Sequence, residues 1–338
     1  MAYITLNKNN FLSNLDIIAK QTKSKDKIAL VLKDNAYGHG LLDVAKLAQE
    51  SGIKKAVVQL EEEALTIKDF FEYVLILADT PKNLSENFCY TINELQAIKK
   101  FPKSTRVELK VNTGMNRNGI EMSELKAAFS LIQKQGLKFE AVFTHHGCAD
   151  ELNDFYKIQK QNFATVQRNS KELSKEFGVD DLRYHSCNSA ALFRDDDFSE
   201  DMARVGVAAY GCLELPFSSL APKLKPVLSV YAKRISTRKL IDGSCVGYGA
   251  SFKACKNCVV SNYDFGYGAG FLRSCSGSYK TPEGVALLGR ISMDNSSFLS
   301  QDEELLIFHD AREVAKLAGT ISYEVLTSLK SHLQRKII

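Results

Sequence analysis

The sequence lacks a long apolar run and a recognisable export signal. Its hydrophobic stretches fall far short of the roughly 20 residues that span a bilayer. The first residues, Met-Ala-Tyr-Ile-Thr-Leu-Asn-Lys, do not have the charged and apolar layout of a signal peptide. We therefore expect a cytoplasmic protein without a membrane partner.

An excess of one charge is also missing. The 338 residues include 44 basic and 40 acidic side chains, which gives a net charge of +4, and no block of basic residues interrupts the mixture. Nucleic acids and anionic membranes are bound by clustered positive charge. The sequence therefore predicts neither partner.

The cysteines lack the pattern of a disulfide framework or a metal site. Eight are scattered along the chain, and in a reducing cytosol we expect them to be buried thiols. Only Cys255 and Cys258 have the spacing of a zinc or redox pair, and neither a second pair nor a histidine lies nearby. We predict no metal.

What the sequence does contain is a series of short apolar segments separated by helix-like stretches. A chain of 338 residues is too long for one ordinary core, which favours a barrel plus a smaller domain. Eight strands that alternate with helical patterns are the signature of a (β/α)8 barrel. The predicted strands are 28–32, 55–59, 73–78, 88–91, 106–111, 139–144, 182–185 and 202–205.

The pattern changes after Tyr210. Pro216, Pro222 and Pro226 bracket a polar linker. Beyond it, the segments typical of β-strands are 227–235, 244–247, 258–263 and 285–291, with one helix at 311–317. We predict a barrel domain over residues 1–220 and a mainly β domain over residues 221–338.

The stretch from Ala29 to Gly40 is the one around which the chain is organised. Its first four residues are apolar and predict a buried strand, so Lys33 lies at the carboxyl end of that strand, which is the catalytic face of a barrel. A helical pattern begins after Gly40, and Tyr37 adds a hydroxyl. A lysine that can form a Schiff base, a hydroxyl and small residues fit a pyridoxal phosphate site. The alternative is a solvated loop lysine.

Residues 33–40, Lys-Asp-Asn-Ala-Tyr-Gly-His-Gly, resemble the cofactor signature of the bacterial alanine racemases, and the resemblance recurs along nearly the whole chain. It implies a barrel that carries pyridoxal phosphate on Lys33, followed by a β domain. It implies the interconversion of L- and D-alanine for peptidoglycan. It also implies a head-to-tail homodimer in which each site borrows Tyr267 of the partner subunit.

Two segments of small residues are candidates for the cofactor's phosphate cradle. Residues 188–190 follow the seventh predicted strand and residues 204–207 the eighth, where barrels usually bind phosphate. Read alone, Ser189 can be a helix cap and Gly206 a turn residue. The resemblance implies that the phosphate is held by Ser189, Gly206, Val207, Tyr37 and Tyr323.

Arg204 matches the family residue that faces the ring nitrogen of the cofactor. A guanidinium is always protonated, so it cannot give the ring a proton as a carboxylic acid would, and the ring stays neutral. The alternative is a structural salt bridge. The resemblance of residues 109–119 implies that Arg117 contacts the substrate carboxylate and that Lys110 is carbamylated and braces Arg117. Asn112 stands where aspartate is more usual.

Residues 264–270 match the block that carries the family's catalytic tyrosine, here Tyr267. Because the ordinary pKa of tyrosine is about 10, this base needs help at neutral pH. The resemblance implies help from His145, which we expect beside the cofactor. His146 follows it, so which imidazole faces Tyr267 stays open. The backbone amide of Met293 is implied to bind the substrate carboxylate.

The resemblance thus implies an alanine racemase with two bases, Lys33 on the D side and Tyr267 on the L side. One alternative is a racemase of broad specificity, because residues outside these motifs decide which side chain fits. Another is a pyridoxal phosphate-binding protein without catalysis, which would need no second base. A decarboxylase is disfavoured, because it is expected to use an acidic residue at the ring nitrogen rather than Arg204.

Overall fold

The computed structural model describes residues 1–83, 85–195, 197–216 and 223–338. The strands are β1 (Tyr3–Leu6), β2 (Ile28–Val31), β3 (Lys55–Val58), β4 (Tyr73–Ile76), β5 (Phe88–Ile92), β6 (Arg106–Lys110), β7 (Lys138–Phe143), β8 (Arg183–His185), β9 (Ala203–Val205), β10 (Leu228–Leu240), β11 (Cys245–Val246), β12 (Phe252–Lys253), β13 (Cys258–Tyr263), β14 (Ser296–Phe298), β15 (Glu304–Phe308) and β16 (Gln334–Ile337). The helical segments are α1 (Lys8–Thr22), α2 (Lys33–Tyr37), α3 (Leu41–Glu50), α4 (Glu61–Ile67), α5 (Leu125–Gln135), α6 (Phe155–Phe177), α7 (Ser189–Arg194), α8 (Ala311–Ala318) and α9 (Ser322–Ser328).

Strands β2 to β9 form a parallel eight-stranded barrel, which confirms the predicted fold. Neighbours along the chain pair from β2 to β8, and β9 returns to pair with β2. Between β8 and β9 single backbone bonds complete the ring, from Arg204 N to Cys187 O at 2.9 Å and from Asp201 N to Tyr184 O at 3.2 Å. Each predicted barrel strand lies within two residues of the observed one.

Helices cover the barrel less evenly than the pattern predicts. Between β4 and β5, the described residues 77–83 and 85–87 contain no helix, and Pro81 is among them. Proline and short polar residues favour turns over a continuous helix. After β5 the chain makes only a 3-10 helix, Leu95–Lys100. The expectation of a helical stretch after every strand is therefore wrong at this side of the barrel.

A second sheet contains strands from both ends of the chain. Its order is β14-β13-β10-β1-β16, and β15 also pairs with β10. The 13-residue β10 runs through the middle of this sheet. β1 is antiparallel to β10 and parallel to β16, so residues 3–6 belong to the sheet that follows the barrel. The predicted boundary between residues 220 and 221, like Pro222, lies outside the described residues.

One predicted strand of the second domain is wrong. Residues 285–291 make only isolated bridges, Lys280 with Ala286 and Leu287 with Phe298. Gly284, just before the segment, and Gly289, within it, have φ values of 84° and 72°, which turn the chain away from extended geometry. The short strands β14, β15 and β16 were not predicted. The helix predicted at 311–317 is confirmed as α8.

Two absences hold within the described ranges. No helix there combines the length and the apolarity needed to cross a membrane. No group of three or more His, Cys, Asp or Glu side chains there is arranged to hold a metal ion. All eight cysteines are free thiols. The expectation of buried thiols is wrong for Cys245 and Cys255, which are exposed, and Cys148 and Cys258 are only partly buried.

Candidate active site

A cavity of about 800 Å³ opens at the carboxyl ends of the barrel strands. It is the only place where most of the predicted site residues meet among the described parts of the chain. The predicted residues in its wall are Lys33, Tyr37, Lys110, Arg117, His145, Ser189, Arg204, Gly206, Val207 and Tyr323. Asn188 of the predicted segment 188–190 also lines it. Side chains that the sequence analysis did not single out complete the wall, among them Gln59, Phe143, Glu324 and Thr327. The position of Gln59 just after β3 was the signal for it, because this is the catalytic end of the barrel.

The segment α2, which carries Lys33, is a left-handed turn. Its residues Asp34 to Tyr37 have φ values between 51° and 55°, and Gly38 follows at 74°. L-residues are destabilised in this region by about 1–2 kcal/mol each, so four in a row persist only where their surroundings fix them. The strand-exit loop that the sequence suggested is thus a single strained conformation that places Lys33 and Tyr37 in one wall.

Hydrogen bonds from several elements fix this turn. Ala36 N donates to Leu32 O at 2.8 Å inside the turn. Glu63 of α4 accepts the Asp34 amide through Oε1 at 2.7 Å. The side chain of Asn35 accepts from Leu41 N at 2.8 Å and so caps α3. The Lys33 ammonium lies 3.2 Å from Asp34 Oδ2, and about a third of its side chain is exposed.

Ser189 and Gly206 lie together at the ends of β8 and β9. Ser189 Oγ accepts from Gly206 N at 3.1 Å and from Ala208 N at 3.3 Å. A Cβ at position 206 would lie 2.8 Å from the Tyr37 hydroxyl, so only glycine permits this approach. Burial raises the pKa of Tyr37 and of Tyr323, so both remain protonated hydrogen-bond donors. Small residues, a serine and tyrosine hydroxyls therefore surround one end of the cavity.

Arg204 reaches the cavity from β9, and both of its terminal nitrogens donate hydrogen bonds to the protein. Its Nη2 donates to Thr144 O at 2.7 Å and to Ser186 O at 3.0 Å, and its Nη1 donates to His185 Nδ1. No described residue accepts a bond from Nε, which leaves one donor free at a residue of the cavity wall. Burial lowers the pKa of Arg204 below its usual value, and Glu200 and Glu108 oppose that shift.

A buried carboxylate that the sequence analysis missed supports Arg204 from behind. Since Arg204 donates to His185 Nδ1, His185 carries its proton on Nε2 and donates it to Glu108 Oε2 at 2.8 Å. Burial opposes ionisation of Glu108, but His185 and Arg183 hold its pKa down at about 2. The signal was an acidic residue between two apolar residues, Val107 and Leu109, inside a predicted barrel strand.

Lys110 ends β6 beside the cavity and has no acidic partner among the described residues. Its Nζ lies 6.0 Å from the centre of the Phe143 ring. Burial, together with the nearby charges of Arg117 and Arg204, lowers the pKa of Lys110 to about 8. A substantial fraction of this amine is therefore neutral near physiological pH.

Asn112 shapes the loop that carries Arg117. Its Oδ1 accepts from Gly114 N at 3.1 Å and from Asn116 N at 3.0 Å. Its Nδ2 donates to Glu121 Oε1 at 3.0 Å. An aspartate could make the first two bonds but would face Glu121 with a second carboxylate. The presence of Glu121 explains why an asparagine fits at this position.

The two neighbouring histidines point in different directions. His145 lines the cavity, and burial, followed by the charge of Arg204, lowers its pKa well below the usual value, so it is neutral. His146 is buried, with Nε2 2.9 Å from Ser186 Oγ and its ring edge against Tyr156. Only His145 of the pair is in a position to contact a ligand.

Tyr267 and Met293 are together, but they do not line the cavity of their own chain. Gly268 N donates to Met293 O at 2.7 Å, and a Cβ on Gly266 would lie 2.4 Å from that oxygen. Both side chains face outward, with exposures of 40% for Tyr267 and 56% for Met293. The predicted site is thus divided into two separate groups within one chain.

Comparisons with known proteins cover both groups. Family models described as alanine racemase, N-terminal domain, and alanine racemase, C-terminal domain, match residues 6–214 and 227–337. The alanine racemase of a Nitratiruptor species is 44% identical over 338 residues, 99% of each chain. That of Campylobacter jejuni subsp. jejuni serotype O:2 is 38% identical over 340 residues, the whole of both chains.

Solved structures agree in fold. A crystal structure of alanine racemase from Bacillus anthracis with bound L-Ala-P has a TM-score of 0.86 at 27% identity, covering 100% of this chain and 95% of that one. An alanine racemase of Clostridium difficile 630 has a TM-score of 0.90 at 24% identity, with the same coverage. At that identity the likeness supports the fold alone.

Proposed function

The chain belongs to the alanine racemase family of isomerases, and we propose that it interconverts L- and D-alanine with pyridoxal phosphate held on Lys33. The observation that carries this proposal is the cavity of about 800 Å³ in which Lys33, Arg204 and the cluster around Ser189 and Gly206 meet. Each of these groups answers a separate chemical requirement of that cofactor.

The donor set of the cavity fits the cofactor. The cluster at Gly206 offers polar groups to an anion, because the hydroxyls of Ser189, Tyr37 and Tyr323 border the same end of the cavity. Val207 closes the same wall. At the other end, the free Nε–H of Arg204 is a donor that suits an unprotonated ring nitrogen. Pyridoxal phosphate, when bound, supplies an electron sink that makes the α-proton of an amino acid acidic.

Two side chains of the protein would then move protons at the α-carbon. Lys33 Nζ serves the D face, and the hydroxyl of Tyr267 serves the L face, so that one takes the proton and the other delivers one to the opposite side. His145, neutral and in the cavity wall, is placed to accept a hydrogen bond from that tyrosine and so to assist its loss of a proton. Arg117 and the backbone amide of Met293 would bind the substrate carboxylate.

The division of the site motivates a homodimer. Because Tyr267 and Met293 face outward and do not line the cavity of their own chain, each cavity would receive Tyr267 of the partner subunit. Two-fold symmetry then creates two equivalent shared sites. The domain division proposed from the sequence, 1–220 and 221–338, gives the barrel and the β domain opposite roles in each site.

Lys110 is proposed to carry a carbamate. A neutral amine attacks carbon dioxide, a C–N bond forms, and the released proton leaves the amine as the carbamate becomes an anion. The pKa of about 8 makes the neutral amine available, and the anion would attract Arg117 where an ammonium repels it. We place the enzyme in the cytoplasm, where it would supply D-alanine for peptidoglycan, on the strength of family membership alone.

The test combines a spectrum with an assay. The purified protein should show a visible absorbance that borohydride removes and that Lys33→Ala lacks, and it should racemise alanine. A protein without that absorbance would disprove the cofactor proposal. Faster turnover of serine or lysine than of alanine would replace alanine with a broader substrate class, and an absorbing protein without any turnover would be a cofactor-binding protein.

A further inference from the structure

The carbonyl group that ends the left-handed turn is held by a residue from the far end of the chain. Arg335 in β16 donates to Gly38 O from Nε at 3.1 Å and from Nη2 at 2.9 Å. The two residues are 297 positions apart. Two N–H groups of one planar guanidinium therefore converge on a single backbone oxygen beside the Lys33 turn.

The remaining donors of Arg335 are also occupied. Nη2 donates to Lys330 O at 3.2 Å, and Nη1 donates to Ser331 O at 3.0 Å and to Leu333 O at 2.6 Å. A guanidinium has five N–H groups, and all five are used here on backbone carbonyls. Arg335 is thus a rigid connector between the segment before β16 and the turn, which distinguishes it from a solvated surface charge.

The turn and the C-terminal segment also meet by direct backbone approach. A Cβ on Gly38 would lie 2.1 Å from Leu326 O, and a Cβ on Gly40 would lie 2.7 Å from Arg335 Cδ. Both glycines have positive φ as well. The two glycines that flank His39 are therefore required by contacts with residues 326–335.

We propose that Arg335 is a positioning residue for Lys33, which locks the left-handed turn by holding the Gly38 carbonyl. Residues 34–37 occupy a region that L-residues avoid, so the turn depends on contacts from outside it. Glu63 holds its first amide, and Arg335 holds its last carbonyl. The consequence for catalysis rests on the proposed function, because it matters only if Lys33 carries the cofactor.

The experiment measures amide hydrogen exchange of the peptide covering residues 33–41 in the purified full-length protein. Arg335→Met keeps the aliphatic stem and removes every donor, and exchange of this peptide should rise about 10-fold or more, since bonds from a charged donor are lost. Lys336→Met is the matched control. It removes a cation from the same strand, one that lies over the Tyr3 ring and does not contact Gly38, and it should leave residues 33–41 unchanged.

Two further measurements make the outcome decisive. Arg335→Lys keeps the charge but has no planar fork, so it should give intermediate exchange at residues 33–41, with the peptide covering residues 245–253 unchanged. If Arg335→Met does not fold, the result for Arg335→Lys decides alone. The release rate of pyridoxal phosphate should rise from the wild type to Arg335→Lys and again to Arg335→Met.

Wild-type exchange of residues 33–41 in a folded Arg335→Met protein would overturn the proposal, and so would wild-type exchange in Arg335→Lys if that variant has to decide. Exchange reports on the turn whether or not a cofactor is present. Faster exchange in a protein that binds no pyridoxal phosphate would therefore contradict the proposed function and leave the lock standing. If the wild-type protein racemises alanine and Arg335→Met shows unchanged exchange at residues 33–41, the proposed function stands and the role of Arg335 is disproved.

Discussion

The surroundings of Lys33 and those of Tyr267 differ in how completely the chain holds them. Lys33 lies on a turn that Glu63, Asn35 and the C-terminal segment fix by hydrogen bonds. Tyr267 lies on a glycine-rich turn whose backbone is bonded to Ser292 and Met293, but its ring is 40% exposed. The Lys33 half of the candidate site is held in place by contacts within the chain, and the Tyr267 half presents exposed side chains.

This difference indicates what each half depends on. The Lys33 half depends on folding, because its geometry results from strained backbone and buried polar networks. The Tyr267 half has a fixed backbone but exposed side chains, so under the proposed dimer its function depends on contact with the partner subunit. Under the proposed dimer, substitutions in the first half should affect both structure and activity, and substitutions in the second should affect activity alone.

The most direct test of the comparison separates the two halves by mutation. Lys33→Ala and Tyr267→Phe should each lower racemase activity by at least about 10³-fold, because each removes one of two bases. Mixing the two inactive proteins under conditions of subunit exchange should restore activity. Random mixing makes half of the dimers mixed, each with one intact site of two, so recovery reaches at most about a quarter of wild type.

The control for that experiment is a tagged subunit that demonstrates exchange. If both residues acted within one chain, every site would keep a lesion and no activity would return. A lack of recovery despite exchange would therefore exclude the shared site, and the two halves would have to meet by a movement within the chain.

A second test concerns the network behind Arg204. Arg204→Lys should lower kcat by about 100-fold, because an ammonium cannot bind Thr144 O, Ser186 O and His185 and still offer a donor to the cavity. Arg183→Lys is the matched control, since Arg183 contacts the same Glu108 at 3.1 Å without lining the cavity. Equal losses in both variants would assign Arg204 a structural role only.

A third test concerns Lys110, for which a smaller effect is expected. Carbon-13 NMR of protein equilibrated with labelled bicarbonate near pH 8 should show a carbamate signal that Lys110→Gln lacks. The variant should lose activity a few-fold, because Arg117 would lose the brace but keep its own loop. Intact-mass measurement is unsuitable since the adduct is acid-labile. Electron density that shows a bare ammonium at Lys110 would rule out the modification.

The remaining test concerns stability at acid pH and not activity. Burial lowers the pKa of His39 to about 4, against an ordinary value near 6.5. The unfolded chain therefore binds this proton first, and stability is lost as the pH falls from 6.5 through 4. The loss is on the order of 3 kcal/mol.

His39→Phe keeps the stacking on Tyr210, where the ring centres are 4.2 Å apart, and removes the titrating group. Denaturant unfolding at several pH values should show a flatter acid limb for His39→Phe, even though the variant loses a hydrogen bond to the Tyr37 carbonyl. Parallel curves for the two proteins would mean that His39 does not contribute to acid sensitivity. The comparison isolates this group because His145, His146 and Glu108 are the same in both proteins.

The barrel could be predicted because eight short segments with apolar residues alternate with helix-like stretches along the chain. The second sheet was harder, since β14, β15 and β16 are three to five residues long and depend on partners far away in the sequence. Residues 285–291 have the composition of a strand, but Gly284 before the segment and Gly289 within it have positive φ. Local pattern cannot show which short segments find a partner.

The candidate site was predictable in composition and not in conformation. The motif around Lys33 identified the residues of the turn. Asp34 and Asn35 tolerate a left-handed backbone, but four such residues in a row could not be predicted, because contacts with distant residues such as Glu63 and Arg335 hold the turn. The resemblance favoured His145, but the sequence left open which of His145 and His146 faces the site. The structure separates them, because His145 lines the cavity and His146 is buried against Ser186. Glu108 was not predicted, although its position between Val107 and Leu109 was visible in the sequence.

The bond between Arg335 and Gly38 has a consequence for synthesis of the chain. A ribosome that adds about 5–20 residues per second needs roughly 15 to 60 s to cover the 297 positions between the two residues. During that time the nascent barrel already contains Lys33, while β1 waits for β10 and β16. A polypeptide that ends between residues 206 and 325 would include every barrel strand and still lack both contacts on Gly38. The left-handed turn therefore acquires these contacts only after residues 326–335 have been translated.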